Sequence, residues 1–387
     1  MCSLGGEVMM EEHAGSSVKN NLKLDTCKKC FTEKPSIILR KIDAYCKSCF
    51  LPATIHKFRA TIGKYRLIKP NERVLIIYVN GHPSSALLHF IRGGLDLPTH
   101  KKLRLEPVIL YIDDHKLSPE ERLAIAKNVT HEISSYNFPG YVTSLHNFIN
   151  DFNAEPKYYE LNNNLIVENL LSNANSKSRN RTQYDDVMEV SRRQLIIQMA
   201  KQLSCRVVFT PEISVDVAVK MLSNLSLGRG SHLSLDVGVY DDRDSEVKIL
   251  QPLRYFDMKE LAYYNIFNGI EPVNAGFTKD KQSATSSVNK LITKFVTDLQ
   301  ENYPSTVKTV VRTGDKLMCE TTGNICDICK APVENQEQLS SSEAKDFSHW
   351  VSTHIKDLNT RSDYDNKNVC NSKLCYGCRY ISNVLNI

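Results

Sequence analysis

The stretch VLIIYVNGHPSSALLHFI, residues 74–91, decides the fold. Its first six residues are apolar and predict a β-strand that is buried on both faces, and PSSALLHFI predicts a helix directly after a tight turn. Nucleotide-binding α/β proteins hold phosphate at such a turn, because the backbone amides of a helix N-terminus point at the anion. Here Gly81 suits a phosphate-binding turn, whereas His82 and Pro83 do not.

Strand and helix patterns alternate along the rest of the central region. PVILYID (107–113), CRVVFT (205–210) and VKILQPL (247–253) indicate further buried strands, and the segments 184–204 and 215–228 have helical patterns. This alternation predicts an α/β fold with a doubly wound parallel sheet.

The carboxyl ends of such strands meet at one edge of the sheet, where open α/β sheets bind their ligands. We therefore expect three segments to converge there: Asn80–Ser85 after the first strand, Asp113 and Asp114 after the second, and Thr210–Glu212 after the third. A nucleotide, if one is bound, would lie at this edge.

The composition is that of a globular protein, since 41% of the 387 residues are hydrophobic and 24% are charged. The apolar runs are far shorter than the roughly 18 residues of a membrane helix, and the first residues lack the pattern of a secretory signal. We therefore expect a soluble cytoplasmic protein with no membrane contact. Because the cytosol keeps thiols reduced, the 12 cysteines indicate metal ligands or reactive thiols before disulfides.

Two cysteine pairs near the N-terminus have the spacing of a zinc ribbon. CKKC, with Cys27 and Cys30, and CKSC, with Cys46 and Cys49, are separated by 15 residues. Each pair offers two thiolates, and four thiolates around one Zn²⁺ leave no open coordination position. We expect a structural zinc ion here, with unligated surface or redox cysteines as the alternative.

A second set of four cysteines lies near the C-terminus, in CDIC and CYGC: Cys326, Cys329, Cys375 and Cys378. The long loop between the two pairs is rich in Ser, Asn, Asp and Glu, and we predict that it is mobile. We expect a second structural zinc ion, with Cys319 and Cys370 as competing ligands. Cys205 lies in the apolar segment LSCRVVFT, which indicates a core residue before a nucleophile.

Positive charge is concentrated near the N-terminus. Residues 20–73 contain 13 Lys and Arg against four Asp and Glu, although the whole chain carries a net charge of only +5. The segment 51–70 has apolar residues at helical spacing, with basic residues around them. A basic amphipathic helix beside a basic zinc knuckle can contact nucleic acid, which gives four candidate RNA-binding residues: Lys57, Arg59, Lys64 and Arg66. The alternative is a solvated charged face.

These patterns divide the chain into six segments. We expect a flexible N-terminus (1–20), an N-terminal zinc ribbon (21–56), a basic linker helix (57–70), an α/β domain (71–275), a helical extension (276–320) and a C-terminal zinc-binding module with a mobile loop (321–387).

Cysteine knuckles on either side of such a core resemble the PP-loop ATPase family that thiolates tRNA. Four segments are similar to the member of that family that accompanies a catalytic thiolase: MLSNLSLGRG (221–230), QPLRYFDMKELAYYNIF (251–267), YPSTVKTVVRT (303–313) and LCYGCR (374–379). The resemblance implies an adenine nucleotide alpha hydrolase-like sheet flanked by zinc-ribbon-like modules. It also implies a role in 2-thiolation of the wobble uridine (mcm5s2U) of cytosolic tRNA Lys, Glu and Gln, with sulfur from a thiocarboxylated ubiquitin-related modifier.

The first turn of that family has the pattern Ser-Gly-Gly-x-Asp-Ser, and six residues stand at the matching positions: Asn80, Gly81, His82, Pro83, Ser84 and Ser85. His82 adds a side chain where the backbone should approach phosphate, Pro83 lacks an amide hydrogen, and Ser84 replaces the carboxylate. A second family pattern, Gly-His-Asn-x-Asp-Asp, is matched only by Asp216 in TPEISVD (210–216). Residues 50–204 also contain no cysteine to hold sulfur or an iron–sulfur cluster. We therefore do not expect this chain to use ATP.

The resemblance therefore implies a non-catalytic subunit. We expect a zinc-stabilised scaffold without catalytic residues of its own, which binds tRNA and forms a heterodimer with an active PP-loop tRNA thiolase subunit. Two alternatives remain. The chain could itself be an ATP-dependent tRNA sulfurtransferase, or it could be a zinc-ribbon nucleic-acid adaptor unrelated to thiolation.

Overall fold

The apolar run that begins at Val74 forms the central strand of the sheet in the computed structural model. This strand, β3 (Glu72–Tyr78), pairs in parallel with β4 (Leu105–Asp113) on one side and with β7 (Val207–Phe209) on the other. Every residue from Val74 to Tyr78 is at most 2% exposed. A parallel strand covered on both faces needs a continuous apolar run, and the predicted buried strand is therefore confirmed.

The structure describes residues 25–114, 118–150, 155–161, 181–230, 232–273, 287–317, 324–333, 345, 348–349, 352 and 374–385. Several predicted features lie outside these ranges: the flexible N-terminus, the start of the helical extension, Cys319, Cys370 and most of the C-terminal loop. The chain divides into two compact units, Met1–Phe50 and Leu51–Ile387.

The helices of the described residues are α1 (Lys47–Tyr65), α2 (His82–Leu95), α3 (Pro119–Ser135), α4 (Leu145–Asn150), α5 (Arg181–Gln202), α6 (Ser214–Ser226), α7 (Leu233–Val237), α8 (Met258–Asn268), α9 (Val288–Asn302), α10 (Pro304–Gly314) and α11 (Tyr376–Leu385). The remaining strands are β1 (Ile37–Leu39), β2 (Asp43–Tyr45), β5 (Gly140–Ser144), β6 (Tyr159–Glu160), β8 (Tyr240–Asp241) and β9 (Lys248–Leu250). Within the described part of the chain, no helix has both the length and the apolar character needed to cross a membrane.

The larger sheet has the strand order β6-β5-β4-β3-β7-β9-β8, and β1 and β2 form a separate antiparallel pair. Its five inner strands are parallel, and one half runs from β3 through β4 to β5 while the other runs through β7 to β9. This is the doubly wound arrangement that the sequence predicts, with its switch point between β3 and β7. The edge strands β6 and β8 are antiparallel and two residues long, which is too short for any periodicity in the sequence.

One buried cluster joins the sheet to α5. Leu75 and Ile77 of β3 lie in it together with Leu195 and Met199 of α5. Cys205 belongs to the same cluster and is 2% exposed. Burial raises the pKa of its thiol to about 11, so the thiol is protonated at neutral pH and Cys205 is a core residue, as the sequence predicts.

A second buried cluster consists of aromatic rings from α1, α2 and α8. The ring of Phe90 in α2 stacks on Phe58 of α1 at 4.8 Å and on Tyr264 of α8 at 4.2 Å, and it lies 6.0 Å from the ring of Phe256. All four side chains are buried. Rings at such distances contribute packing energy beyond the burial of their area, so Phe90 holds the three segments together.

Helix α1 differs from the predicted linker helix at 57–70, because it begins at Lys47 and ends at Tyr65. The carbonyl of Cys46 accepts the amide of Phe50 (2.9 Å), so the second cysteine pair already forms the first turn of the helix. The helix ends where Arg66 adopts the left-handed conformation, with φ at 47°. The basic segment is therefore helical only in its first part and continues as a loop into β3.

Helices α9 and α10 pack against α6. Val296 of α9 and Val307 and Val311 of α10 are each 1% exposed, and they share one cluster with Val217 of α6. Pro304 begins α10, a position that suits proline because the first helical residue needs no amide hydrogen. The two helices therefore enlarge the core beyond the sheet.

Replacing Phe90 by Ala should lower the free energy of unfolding by about 3–5 kcal/mol, because it removes the ring contacts with three aromatic neighbours and leaves a cavity. Urea denaturation followed by circular dichroism measures this loss. Ile266→Ala is the control, since Ile266 is 63% exposed and its truncation should change stability by less than about 0.5 kcal/mol. Equal losses in the two variants would contradict the packing role of Phe90.

Candidate functional site

The carboxyl ends of β4, β3 and β7 lie side by side, since these strands are neighbours in the sheet. The segments at those ends are Asp113 and Asp114, Asn80–Ser85, and Thr210–Glu212. The structure therefore brings the three predicted segments to one edge, which we call the carboxyl edge. Open α/β sheets bind their ligands at this position.

Gly81 has a backbone conformation that only glycine adopts readily. Its φ of 123° and ψ of 178° lie outside the regions open to residues with a Cβ atom. Gly81 also precedes the first residue of α2, where no side chain caps the helix. The shape of the turn therefore requires this glycine, whether or not the turn binds a ligand.

The serine hydroxyls of the turn bond to its own backbone. Ser84 Oγ accepts the amide of Val79 (2.9 Å), and Ser85 Oγ donates to the carbonyl of Gly81 (3.4 Å). The two serines are 2% and 0% exposed. Because both hydroxyls are engaged and Pro83 contributes no amide hydrogen, the turn is poor in donors for a phosphate group.

Helix α8 covers the turn through Asn265. The Nδ2 atom of Asn265 donates to the His82 carbonyl (3.0 Å) and lies 3.3 Å from His82 Nδ1. Further along α2, His89 Nδ1 lies 2.7 Å from the hydroxyl of Tyr264. Burial lowers the pKa of both histidines, so neither brings a positive charge to the turn at neutral pH.

The acidic residues of the carboxyl edge serve internal contacts. Asp113 is fully buried and accepts from Arg122 Nε (3.0 Å), and Asp114 pairs with Arg192. Asp216, the residue that matches the second family pattern, accepts a backbone amide at the start of α6 (2.9 Å). These carboxylates therefore stabilise the fold around the turn.

The four basic candidates around α1 differ in their exposure and in their partners. Lys57 donates to Glu260 (2.8 Å) and is directed at α8. Arg59 is half-buried, whereas Lys64 and Arg66 are exposed. The ion pair of Lys57 joins residues 203 positions apart, which a local charge pattern cannot reveal. Lys64 and Arg66 are therefore better placed than Lys57 to meet a polyanion.

The N-terminal cysteines meet at one point. The sulfur atoms of Cys27, Cys30, Cys46 and Cys49 all lie within 4.8 Å of one another. Strands β1 and β2 form the hairpin between the two pairs, and the amide of Cys27 donates to the carbonyl of Glu33 (2.8 Å). These four thiols could hold one metal ion in tetrahedral coordination, and such a site is structural because no position is left for a substrate.

The C-terminal cysteines meet in the same way, although the two pairs are far apart in sequence. Their four sulfur atoms also lie within 4.8 Å of one another, and all four residues are buried: Cys326, Cys329, Cys375 and Cys378. Ile328, Leu374 and Ile381 are buried beside them. The predicted set of four is thus brought together, and a metal ion held here would join two segments of the chain.

Helix α5 supports the first knuckle of the C-terminal cluster. Arg193 Nη1 donates to the carbonyl of Cys329 (3.4 Å), and Gln194 Nε2 donates to the carbonyl of Ile328. Arg193 Nε also pairs with Asp241 (2.6 Å). The helix therefore fixes the backbone that carries the ligands.

Arg229 lies against the second knuckle. It pairs with Asp186 at 3.1 Å and is 7% exposed. Gly377 allows this approach, because a Cβ atom there would lie 3.1 Å from Arg229 Cδ and would collide with its Nε. Four thiolates and a divalent ion carry a net charge of about −2, which a neighbouring guanidinium stabilises. Sequence analysis missed Arg229, and the glycine of CYGC is its only local signal.

Freshly purified, reduced protein should contain one metal ion in each of the two clusters. Cys27→Ser and Cys326→Ser should each remove one ion, because a site with three remaining thiolates binds the metal less tightly. Cys205→Ser is the matched control and should keep both ions, since Cys205 lies in the core. Inductively coupled plasma mass spectrometry measures the content, and two ions retained in either cluster variant would contradict the assignment.

Gly377→Ala should accelerate loss of metal from the C-terminal cluster by about tenfold or more, because the added methyl group displaces Arg229. The rate is measured as transfer of the metal to a coloured chelator. Gly63→Ala, on the exposed side of α1 with no atom within 4 Å of the added Cβ, is the control. Equal rates in wild type and Gly377→Ala would show that Arg229 is not needed.

Comparison with known proteins shows the family. The family model described as cytoplasmic tRNA 2-thiolation protein 2 matches residues 287–380. The protein of that name from Anopheles gambiae is 30% identical over 99% of this chain and 97% of the relative. Cytoplasmic tRNA 2-thiolation protein 2-A from Xenopus laevis is also 30% identical, over 87% of this chain and 79% of the relative.

A solved structure shares the fold. The U34-tRNA thiolase NcsA from Methanococcus maripaludis, described with its 4Fe-4S cluster, aligns with a TM-score of 0.57 over 83% of this chain and 96% of that chain. Its sequence is 16% identical, so this likeness concerns the PP-loop thiolase fold alone. The two relatives at 30% identity show the family directly, because they match most of the chain in sequence. The chain belongs to the cytoplasmic tRNA 2-thiolation protein 2 family.

Proposed function

We propose that this chain is the non-catalytic subunit of a tRNA thiolase complex that forms 2-thiouridine (mcm5s2U) at the wobble position of tRNA Lys, Glu and Gln. Membership of the family relates the chain to tRNA thiolation. The names of the relatives also agree with the cytoplasmic location expected from the sequence. The finer assignment depends on the turn at Asn80–Ser85.

The geometry of that turn is the observation that carries the proposal. A catalytic PP-loop needs free backbone amides and a carboxylate near the triphosphate. In this chain Ser84 and Ser85 bond to the turn itself, Asn265 contacts His82, and Pro83 has no amide hydrogen. The hydroxyls of Ser84 and Ser85 are thus engaged within the turn, which leaves it fewer donors to offer a nucleotide.

The described part of the chain also offers no candidate residue for sulfur chemistry. Among the described residues, Cys205 is the one cysteine outside the two clusters, and it is buried in the core. The four-thiolate clusters are closed to substrate when they hold zinc, which is the metal we propose for both. This chain therefore contributes structure and RNA contacts, and an active PP-loop subunit contributes ATP and sulfur chemistry.

The complex we propose is a heterodimer. This chain binds the catalytic subunit and tRNA. The catalytic subunit takes sulfur from a thiocarboxylated ubiquitin-related modifier. A non-catalytic relative of a catalytic fold can serve in this way, because a fold may be kept for its surfaces after its chemistry is lost.

The test compares one serine in two subunits. Ser85→Ala in this chain should leave wobble thiolation nearly unchanged. Replacing the equivalent serine in the PP-loop of the catalytic subunit by alanine should abolish it. Deleting this chain should also abolish thiolation. Mass spectrometry of tRNA nucleosides measures the product, and equilibrium dialysis with Mg-ATP tests the isolated chain for nucleotide binding.

The outcomes separate the alternatives. Tight Mg-ATP binding by the isolated chain, or loss of thiolation in Ser85→Ala with the complex still assembled, would support an ATP-dependent sulfurtransferase. Normal wobble 2-thiouridine in cells without the chain would support a nucleic-acid adaptor unrelated to thiolation. Either result would overturn the proposed scaffold.

A further inference from the structure

The amino ends of the parallel strands carry one cation on each of four neighbouring strands. Arg104 directly precedes β4, Arg73 is the second residue of β3, Arg206 directly precedes β7 and Lys248 begins β9. The sheet order β4-β3-β7-β9 places them in a row. Because these strands are parallel, the row lies at the opposite end of the sheet from the carboxyl edge.

The strand register places three of the four cations within one residue of the same level. Val207 of β7 is paired with Val74 of β3 and with Lys248 of β9. Arg73 and Arg206 each stand one residue before that line, and Arg104 stands further out, because Glu106 is the partner of Arg73. Since neighbouring strands are about 4.8 Å apart, the four strands present cations over roughly 15 Å.

The loop that follows α1 adds two cations to the row. Arg206 Nη2 donates to the carbonyl of Leu67 (2.6 Å), which ties the loop to the amino ends of the strands. Arg66 and Lys69 are exposed in this loop. The resulting surface, which we call the amino-edge rim, consists of six residues: Arg66, Lys69, Arg73, Arg104, Arg206 and Lys248.

Positive charge dominates the rim. Within the loop 66–71 and within two residues of the starts of these four strands, three carboxylates stand against the six cations: Glu72, Glu106 and Glu246. Glu72 is engaged by Arg206 Nε (2.6 Å), and Glu246 lies 3.7 Å from Lys201. Arg73 and Arg104 are exposed. A row of cations with few counter-charges attracts a polyanion.

Two tyrosine rings lie beside the rim. Tyr65 at the end of α1 and Tyr240 of β8 are 5.9 Å apart in edge-to-face geometry. Lys64 Nζ lies 5.1 Å from the centroid of the Tyr65 ring, and Lys248 Nζ lies 5.6 Å from that of Tyr240. Proteins bind unpaired RNA with aromatic rings set among cations, because the rings contact bases while the cations contact phosphates.

We propose that the amino-edge rim binds the sugar–phosphate backbone of tRNA, with Tyr65 and Tyr240 placed to contact an unpaired base. This inference rests on the proposed role in tRNA thiolation and assigns its RNA contact to a surface away from the degenerate turn. Of the residues predicted from the sequence, Arg66 belongs to the rim, and the exposed Lys64 extends it onto the end of α1. Lys57 is outside it.

The test removes three exposed cations and leaves the Arg206–Glu72 pair in place. In the full chain, Lys69→Ala, Arg73→Ala and Arg104→Ala together should weaken binding of a tRNA Lys transcript by about tenfold or more. The slope of log affinity against log salt should become less negative by about 2–3. The variant makes fewer phosphate contacts, so its binding releases fewer counterions. Fluorescence anisotropy at several salt concentrations measures both quantities.

The matched control removes the same charge elsewhere. Lys127→Ala, Lys294→Ala and Lys316→Ala change exposed lysines of α3, of α9 and after α10, and should leave affinity and slope close to wild type. Unfolding midpoints of both triple variants should match wild type. An unchanged slope in the rim variant, or equal losses in both triple variants, would overturn the proposal.

A protein ligand is distinguished in the same experiment. If the rim variant binds tRNA normally but no longer binds the catalytic subunit, the rim is a protein interface and the proposal fails. Failure of the proposed function has a different signature: wobble 2-thiouridine stays normal in cells without the chain, although purified protein still binds tRNA through the rim.

Discussion

The parallel pairing of β3 with β4 and β7 is the constraint on which the rest of the structure depends. Parallel strands must be covered on both faces, so β3 is buried from Val74 to Tyr78 and helices must cross over the sheet. Parallel pairing also gives the sheet two unlike ends. The degenerate turn and the paired carboxylates follow the carboxyl ends, whereas the cations precede the amino ends. The parallel pairing thus separates the turn at Asn80–Ser85 from the surface that we assign to RNA.

The turn at Asn80–Ser85 is held in shape by hydrogen bonds within the chain. A phosphate group would have accepted hydrogen bonds from the turn, and without it buried donors would be left unsatisfied at a cost of about 1–3 kcal/mol each. Here the hydroxyl of Ser84 accepts the amide of Val79, so this donor is satisfied within the chain. Separately, Asn265 donates to the carbonyl of His82 and ties helix α8 to the turn.

Sequence reasoning succeeded where the signal is local. The run after Val74 identifies the central strand by its composition, and the cysteine pairs identify both clusters because two ligands three residues apart can share one ion. Sequence reasoning could not reveal contacts between distant residues. Lys57 pairs with Glu260, which is 203 positions away in the sequence. The rim escaped notice because its cations at 73, 104, 206 and 248 form a row only after the strands are ordered.

Three successive residues of α5 together contact the carboxyl edge, strand β8 and the C-terminal cluster. Arg192 pairs with Asp114 at the carboxyl edge, Arg193 bonds to Asp241 and to the Cys329 carbonyl, and Gln194 bonds to the carbonyl of Ile328. A metal ion that orders the C-terminal cluster therefore also restrains the helix that positions Asp114. If that restraint raises the affinity of a partner for the carboxyl edge, thermodynamic reciprocity requires the partner to raise the affinity for the metal by the same factor. One helix thus contacts both the metal cluster and the distant edge of the sheet.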